Sequence, residues 1–493
     1  MTRQKIFELH PEGWQSDPQD EYFKLSTLDY CVGQVFCNYA LFFRISDDDK
    51  PKTISALKRA LEITLSQCRQ LCCTVEKSQD GNGFCFHKTR ESTVEFHVQW
   101  LDGHEDDPEG KFPSFEDLER RHFVSQALGD MKTWCIPPMT YGEKPEAQPR
   151  NRPKASAFKA TFIRGGMVLM MHHHHYANDV MGWAGELHQL AENCAAVWKS
   201  PGNPDLPHWD PACLNLSRIT KPDPPEEQLV NGPVPPLRHP DHRPGQWLLF
   251  HLPKSKAAEL KRIASPTDGS YWISTYDAYM AYIWRVLSKH RAKLFKPDLK
   301  QNIIWGEAVD MRRRFHDPPV PQRIQQNVVF VALSFQSHHI PQLTAAEVIS
   351  EAPLSKLAWY IRQLTNSVTQ ENLDAALTGI AAVRDKTTLF LRTDSFPPMS
   401  NFTSEWRDVR ACEADFGFGR PHAFRFPFDT VTAGLAVVYP VRTNGAPAGD
   451  DEGNEFIIGF EKELAADLIA DPEWNMYFEF RGVDAEERSS AGT

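Results

Sequence analysis

The sequence predicts a mixed α/β protein in two parts of similar size, and three observations carry this. The chain has 493 residues, whereas a single core rarely grows past roughly 250–300 residues. Residues 201–245 hold twelve prolines, including Pro224-Pro225 and Pro235-Pro236, with little apolar periodicity. Proline fixes φ and lacks an amide donor, so this stretch reads as a linker or crossover. On both sides of it, helical and strand-like apolar patterns occur together.

The first part, residues 1–200, opens with extended signals over Leu25–Arg44. A helix follows, with Ile54, Leu57, Leu61, Leu65, Cys68 and Leu71 spaced three or four apart. Short strand-like runs come next at Gly83–His87 and Val94–Trp100, then a charged, irregular stretch over Asp102–Asp117. Ala157–Arg164 and Met167–Met171 flank Gly165-Gly166 and predict a tight hairpin. Beyond it, Trp183, Leu187, Leu190, Cys194 and Val197 form one apolar helical stripe.

The second part, residues 246–493, begins with a strand at Trp247–Leu252 and a helix from about Ser255. Thr275 is placed to cap a further helix over Asp277–Leu287. Strand-like runs follow at Asn302–Val309, Asn327–Ser334, Leu435–Pro440 and Glu455–Phe460. The polar tail Asp484–Thr493 reads as frayed. No internal repeat is visible at the level of sequence.

The net charge of −11 argues against a nucleic-acid scaffold, which would show a basic surface. Met1–Lys5 lacks the apolar core of a signal peptide. No run approaches the roughly 18 consecutive apolar residues of a membrane span. The ten cysteines are scattered without metal-type spacing. Together these features predict a cytoplasmic protein with reduced thiols and no membrane partner.

Three segments carry candidate chemistry. His172–His175 precede Tyr176-Ala177-Asn178-Asp179, with Gly182 beyond. Only His175 has an aspartate four residues on. Histidine is the side chain best placed to accept a proton near neutral pH, and a strand end is a suitable seat for a general base. Neighbouring histidines on a strand point to alternating faces, so the four cannot converge on one metal. Asp179 could orient His175 as in a triad, or turn away and pair with an arginine.

The second segment is Asp415-Phe416-Gly417-Phe418-Gly419-Arg420-Pro421, which reads as a tight loop with unusual backbone angles. A kinase reading of its Asp-Phe-Gly fails, because the upstream catalytic loop and phosphate loop are missing. The third is Asp310-Met311-Arg312-Arg313-Arg314, directly after a strand. It could be a solvated basic turn, the partner of a buried carboxylate, or a phosphate contact. Nucleophile-elbow, dinucleotide and P-loop motifs are missing from the sequence.

In order and spacing, these segments resemble the BAHD acyltransferase superfamily, and its fungal branch that includes trichothecene 3-O-acetyltransferase. The first hallmark of that family is His-x-x-x-Asp, here His175 to Asp179. The second is Asp-Phe-Gly-Trp-Gly, here Asp415–Gly419 with Phe418 in place of Trp. Leu25–Asp29, Ser274–Arg285 and Val309–Arg312 resemble further family segments.

The resemblance implies two mixed α/β domains related to chloramphenicol acetyltransferase, joined by a long crossover, with the active site in a channel between them. It implies an acyl-CoA cosubstrate, acetyl-CoA by default, and a small-molecule acceptor with a hydroxyl or amine. It implies no tightly bound cofactor, no metal and a monomer. His175 would be the base. Ser404 and Trp406 would support the oxyanion, with Thr403 as the fallback. Asp179 would pair with Arg312 in a structural role, and Asp415, Gly417 and Gly419 would be structural too. Lys254, Lys256, Ser274 and Thr275 lie where family members contact CoA. Two alternatives stay open: a condensation-type enzyme fed by a carrier protein, and a non-catalytic binding member of the fold.

Overall fold

The computed structural model describes residues 3–79, 83–103, 110–337, 339–428, 430–442 and 451–487. Two seven-stranded sheets organise the chain. In the first, the strands run in the order Arg3–Leu9, Val94–Trp100, Ser156–Ile163, Gly166–His174, Val35–Arg44, Ala423–Arg425, and the short strand Gly142–Glu143 also pairs with Val35–Arg44. In the second, the order is Val329–Leu333, Trp305–Asp310, Asn401–Glu405, Leu435–Val438, Asn454–Glu461, Gly245–Leu252, Glu479–Glu486. A small sheet of Asp20–Lys24, Phe84–Thr89 and Thr74–Lys77 completes the sheet structure of the described residues.

The hairpin expected around Gly165-Gly166 forms as Ser156–Ile163 paired antiparallel with Gly166–His174. Gly165 has φ +75, which glycine adopts without steric cost. The apolar stripe beyond it lies on the helix Val180–Lys199, where Trp183, Leu187, Leu190, Cys194 and Val197 are all buried. That helix packs on Lys50–Gln67, the helix expected from the Ile54–Leu71 spacing.

The second sheet is covered on both faces. Along Gly245–Leu252, Leu248, Phe250 and Leu252 point into a core shared with the helices Thr275–Phe295 and Leu354–Ser367. The alternate residues Trp247 and Leu249 join the core of the first sheet. Side chains alternate across a strand, so both sets can be apolar. Ala423–Arg425, late in the chain, forms the edge strand of the first sheet against Val35–Arg44.

Residues 200–244 contain only single helical turns and isolated bridges. This stretch lies along the second half of the chain, with Val230 bridged to Val383 and the His239 amide donating to Asp394 O at 2.8 Å. The ten cysteines are all free thiols.

Three local expectations are corrected. Ser274, not Thr275, caps the helix Thr275–Phe295, because its hydroxyl accepts from the Asp277 amide and the Asp277 carboxylate accepts from the Ser274 amide. The helix Phe115–Arg120 begins inside the stretch expected to be irregular, Asp102–Asp117, of which residues 104–109 lie outside the described set. Asp484 is not frayed: it is buried in the strand Glu479–Glu486 and accepts from Ser125 N at 2.6 Å and Ser125 Oγ at 2.9 Å. The last residues of that tail, 488–493, also lie outside the described set.

Candidate active site

Gly166–His174 is the strand that presents the histidine run. His172, His173 and His174 are fully buried, and alternation sends them to opposite sides. His172 donates from Nδ1 to Met139 O at 3.0 Å and accepts the Ile136 amide on Nε2 at 3.2 Å. His174 donates from Nε2 to Ala147 O at 2.8 Å and accepts the Tyr176 amide on Nδ1 at 3.1 Å. Burial pulls His172 down to about 3 and His174 to about 4, so both are neutral packing groups. His173 faces the other way and donates from Nε2 to the buried Glu186 carboxylate at 2.9 Å. Glu186 also accepts from Asn178 Nδ2 at 3.2 Å.

His175 is the first residue past the strand and is half-buried. Its amide donates to Val35 O at 2.8 Å, which holds the backbone to the neighbouring strand. Burial lowers the imidazole from its usual 6.5, while its own carbonyl, the Asp179 charge and the Asn327 amide act in the opposite sense. The lowering prevails, so the ring is neutral at pH 7 and able to accept a proton.

Asp179 turns away from that ring. Its carboxylate accepts from Arg312 Nη1 at 3.0 Å and Nη2 at 2.9 Å, from the Gly182 amide at 2.7 Å and from the Val328 amide at 2.8 Å. The residue therefore caps the helix Val180–Lys199 and anchors Arg312 as well. Arg312 is buried, and its remaining donors reach Asp310 Oδ1, Ile324 O and Gln326 O. A charge this deep is tolerated because every donor has an acceptor. A Cβ on Gly182 would stand 2.6 Å from Asn178 Oδ1 and 2.8 Å from Gln326 O. Glycine is what lets the two halves of the chain close here.

The second half of the chain also supplies Ser404 and Trp406. The strand Asn401–Glu405 runs parallel to Leu435–Val438, with Ser404 beside Val437 and Thr403 beside Ala436. Val437 belongs to the core of the first sheet and Ala436 to the other core. Ser404 therefore faces the first half of the chain. Its Oγ accepts from Trp406 Nε1 at 2.8 Å, and Trp406 packs against Phe424, Phe426 and Tyr439. Thr403, the fallback, is fully buried on the opposite face, with its hydroxyl 3.6 Å from Met280 Sδ. Strand parity removes it from the site.

The Asp415–Gly419 loop sits elsewhere. Gly417 has φ +82, and a Cβ on it would stand 2.8 Å from Trp198 Cβ and 2.9 Å from Ala195 Cα. The loop thus seats on the far end of the helix Val180–Lys199. Ala195 is about 22 Å along the axis from Val180, at roughly 1.5 Å per residue. Phe416 and Phe418 both meet Phe43 edge-on, with centroids 5.1 and 5.3 Å away. The Asp415 carboxylate accepts the Gly417 amide at 2.9 Å, and the Gly419 carbonyl accepts the Phe416 amide at 3.0 Å.

The four candidate CoA residues are not gathered at one point. Lys254 is exposed at the start of the helix Lys254–Ala264. Lys256 lies over the Tyr477 ring at 5.8 Å and bonds Glu259 at 3.2 Å. Ser274 and Thr275 open the next helix, and the Ser274 hydroxyl is occupied by its cap. Lys261 and Arg362 lie over the exposed Trp272 ring, and Arg362 also pairs with the buried Asp277 at 2.7 Å.

Asn327 and Asp29 were missed as site residues. Asn327 Nδ2 donates to His175 O at 3.0 Å and to Asp29 Oδ1 at 2.8 Å. A signal was present: Gln325-Gln326-Asn327 are consecutive amides directly before an apolar strand. Polar side chains in such a run need buried partners if the strand is internal.

Residues 140–462 match the Transferase family, and residues 35–194 match the trichothecene 3-O-acetyltransferase-like N-terminal domain. The chain belongs to the BAHD-type Transferase family. It is an acyl-CoA-dependent acyltransferase. Among relatives of this family, acetyltransferase FGR3 of Gibberella zeae is 54% identical over 98% of this chain and 95% of its own. Trichothecene 3-O-acetyltransferase TRI101 of Fusarium sporotrichioides is 25% identical over 75% of this chain and 77% of its own. The fold matches F. graminearum TRI101 crystallised with coenzyme A and deoxynivalenol, with a TM-score of 0.76, 22% identity, and coverage of 94% and 100%. It also matches vinorine synthase, with a TM-score of 0.64, 18% identity, and coverage of 94% and 96%.

Proposed function

We propose that this enzyme moves an acetyl group from acetyl-CoA to a hydroxyl or amine of a small specialised metabolite, with His175 as the general base. The observation that carries the assignment is a neutral, half-buried imidazole on a strand end, freed from Asp179 by the Arg312 pair. An alcohol attacks a thioester slowly until a base takes its proton, and a positioned base contributes typically about 10²–10⁴-fold. His175 would accept the acceptor proton as the new C–O or C–N bond forms. The tetrahedral intermediate would then collapse with loss of CoA thiolate, which takes the proton back from His175.

The oxyanion of that intermediate needs a donor, worth about 2.7–4 kcal/mol in comparable sites. Ser404 fits this role. Its Oγ already accepts from Trp406 Nε1, so its own proton is free to be donated toward the first half of the chain. Acyl donor and acceptor would meet at the seam between domain 1–200 and domain 246–493, joined by the crossover 201–245. Lys254, Lys256, Ser274 and Thr275 are proposed on the CoA side. Free thiols throughout and the lack, among the described residues, of a helix able to cross a membrane support a cytoplasmic location.

The experiment is incubation of the purified chain with a panel of acyl-CoAs and hydroxylated or amino metabolites, read by mass spectrometry. Acetylated product from acetyl-CoA supports the proposal. Product formed only from an acyl-carrier-protein donor would move the chain to the condensation-type reading, and absence of any product would favour the non-catalytic one.

A further inference from the structure

Asp179 does not serve His175, yet the imidazole Nδ1 is enclosed and makes no hydrogen bond of good geometry among the described residues. The Asn327 side-chain oxygen is in the same condition. The His175 carbonyl and the Asp179 charge raise the basicity of the ring, and the Asn327 side chain and the Asn178 backbone do so to a smaller degree. Asn327 touches His175 through Nδ2, 3.0 Å from the His175 carbonyl, so two buried atoms without partners, one able to donate and one able to accept, sit on residues in direct contact.

The orientation of the Asn327 amide is not arbitrary. Its Nδ2 points at two groups that only accept, His175 O at 3.0 Å and Asp29 Oδ1 at 2.8 Å, and it also approaches Tyr176 O at 3.4 Å. The backbone amide of Asn327 donates to the same Asp29 oxygen at 3.1 Å. The other Asp29 oxygen accepts the Ser26 amide at 2.6 Å. Asp29 is fully buried, so this clamp is shielded from water. With Nδ2 committed to acceptors, Oδ1 is the atom left for the ring. Gln326, just before it, holds φ +63, a left-handed conformation uncommon for a side chain of this size. Its amide donates to Asn178 Oδ1 at 2.8 Å and its carbonyl accepts from Arg312 Nη2 at 3.0 Å. The strained residue is thus pinned on both sides, as strain near a site requires.

We infer that Asn327, clamped by Asp29, is the positioning residue of His175: it holds the His175 carbonyl through Nδ2 and accepts a hydrogen bond from the ring Nδ1–H on Oδ1, leaving Nε2 as the basic nitrogen. This rests on the reading of His175 as the base. An amide oxygen at Nδ1 stabilises the imidazolium as it forms, without putting a second charge beside the ring. Among the described residues, the titratable groups near the ring are Asp179, satisfied by Arg312; the neutral His174; and Asp29, whose carboxyl burial pushes up to about 7 and which reaches the ring through Asn327.

The test uses the full chain. Long-range ¹⁵N spectra of histidine-labelled wild type, with His175 assigned by difference against His175→Gln, should show Nδ1 protonated and Nε2 bare. An Nε2-protonated ring overturns the inference, and this readout needs no Asn327 variant to fold. Asn327→Ala should lower kcat by about 10–100-fold, toward the low end of what a positioned base supplies. It should leave the KM for acyl-CoA within about twofold and move the acidic limb of kcat/KM to lower pH, because the imidazolium loses its acceptor. Unchanged kcat and limb in Asn327→Ala, with His175→Ala inactive, overturn this inference alone. Full activity in His175→Ala overturns the reading beneath it, and the inference with it.

Discussion

The segment His172–Asp179 and the loop Asp415–Gly419 touch the same helix, Val180–Lys199, at opposite ends. At the N-terminal end, Asp179 caps the helix and pairs with Arg312, and His175 is left half-buried at the meeting of the chain's two halves. At the other end, Gly417 closes on Ala195 and Trp198, and Phe416 and Phe418 fill the space around Phe43. The first end is polar and held by hydrogen bonds, four of them on the Asp179 carboxylate. The second is apolar and held by shape. As sequence patterns the two motifs carry similar weight; their surroundings differ, with a half-buried imidazole beside a buried ion pair at one end and packed aromatic rings at the other.

That contrast is broken most directly by removing the imidazole. His175→Ala should cost about 10²–10⁴-fold in kcat and leave the melting temperature close to wild type, since the ring is half-buried and the Asn327 bond to the His175 carbonyl does not need it. A kcat assay with a thermal melt checks both.

Next in size is the anchor. Arg312→Ala leaves Asp179 buried without its partner, and breaking such a pair typically costs about 3–5 kcal/mol. Denaturant unfolding should show this as a fall in midpoint. Activity should fall as well, because the segment that carries His175 loses its hold on the second half of the chain.

Gly417→Ala sharpens the other side of the comparison. The residue combines φ +82 with a Cβ site 2.8 Å from Trp198 Cβ, so strain of about 1–3 kcal/mol is expected. The folded fraction should keep wild-type kcat. A selective loss of kcat would tie the loop to the chemistry after all. The smallest effect belongs to Phe418→Trp. Phe418 is partly buried against Phe43 and Trp198, so a larger ring adjusts at the rim, with a shift within about 0.5 kcal/mol and no change in rate.

Much of this was legible in the sequence because it follows local periodicity. The stripe Trp183–Val197 and the glycines of the hairpin each specify their element without help from distant residues. His175 could be singled out within the histidine run because only one register places an aspartate four residues on. Residue spacing alone allowed both a triad and an ion pair for Asp179; the family resemblance implied the Arg312 pair, and the structure shows it. Thr403 against Ser404 could not be decided, because parity matters only once the pairing of Ser404 with Val437 is known. Asp29 and Asn327 are 298 residues apart and meet only in the fold. No local pattern marks such a pair. The two seven-stranded sheets likewise show no sequence repeat, because each strand answers to its own neighbours.

The central claim is that His175 acts as a neutral base, and kcat/KM against pH with acetyl-CoA and a responsive acceptor tests it most directly. Burial lowers the imidazole, so the active, deprotonated form should fill through an ionisation below 6.5, with a plateau above it. The residual activity of His175→Ala should lack that ionisation. A variant that keeps the same acidic limb, or a wild-type limb centred above 6.5, would contradict the account.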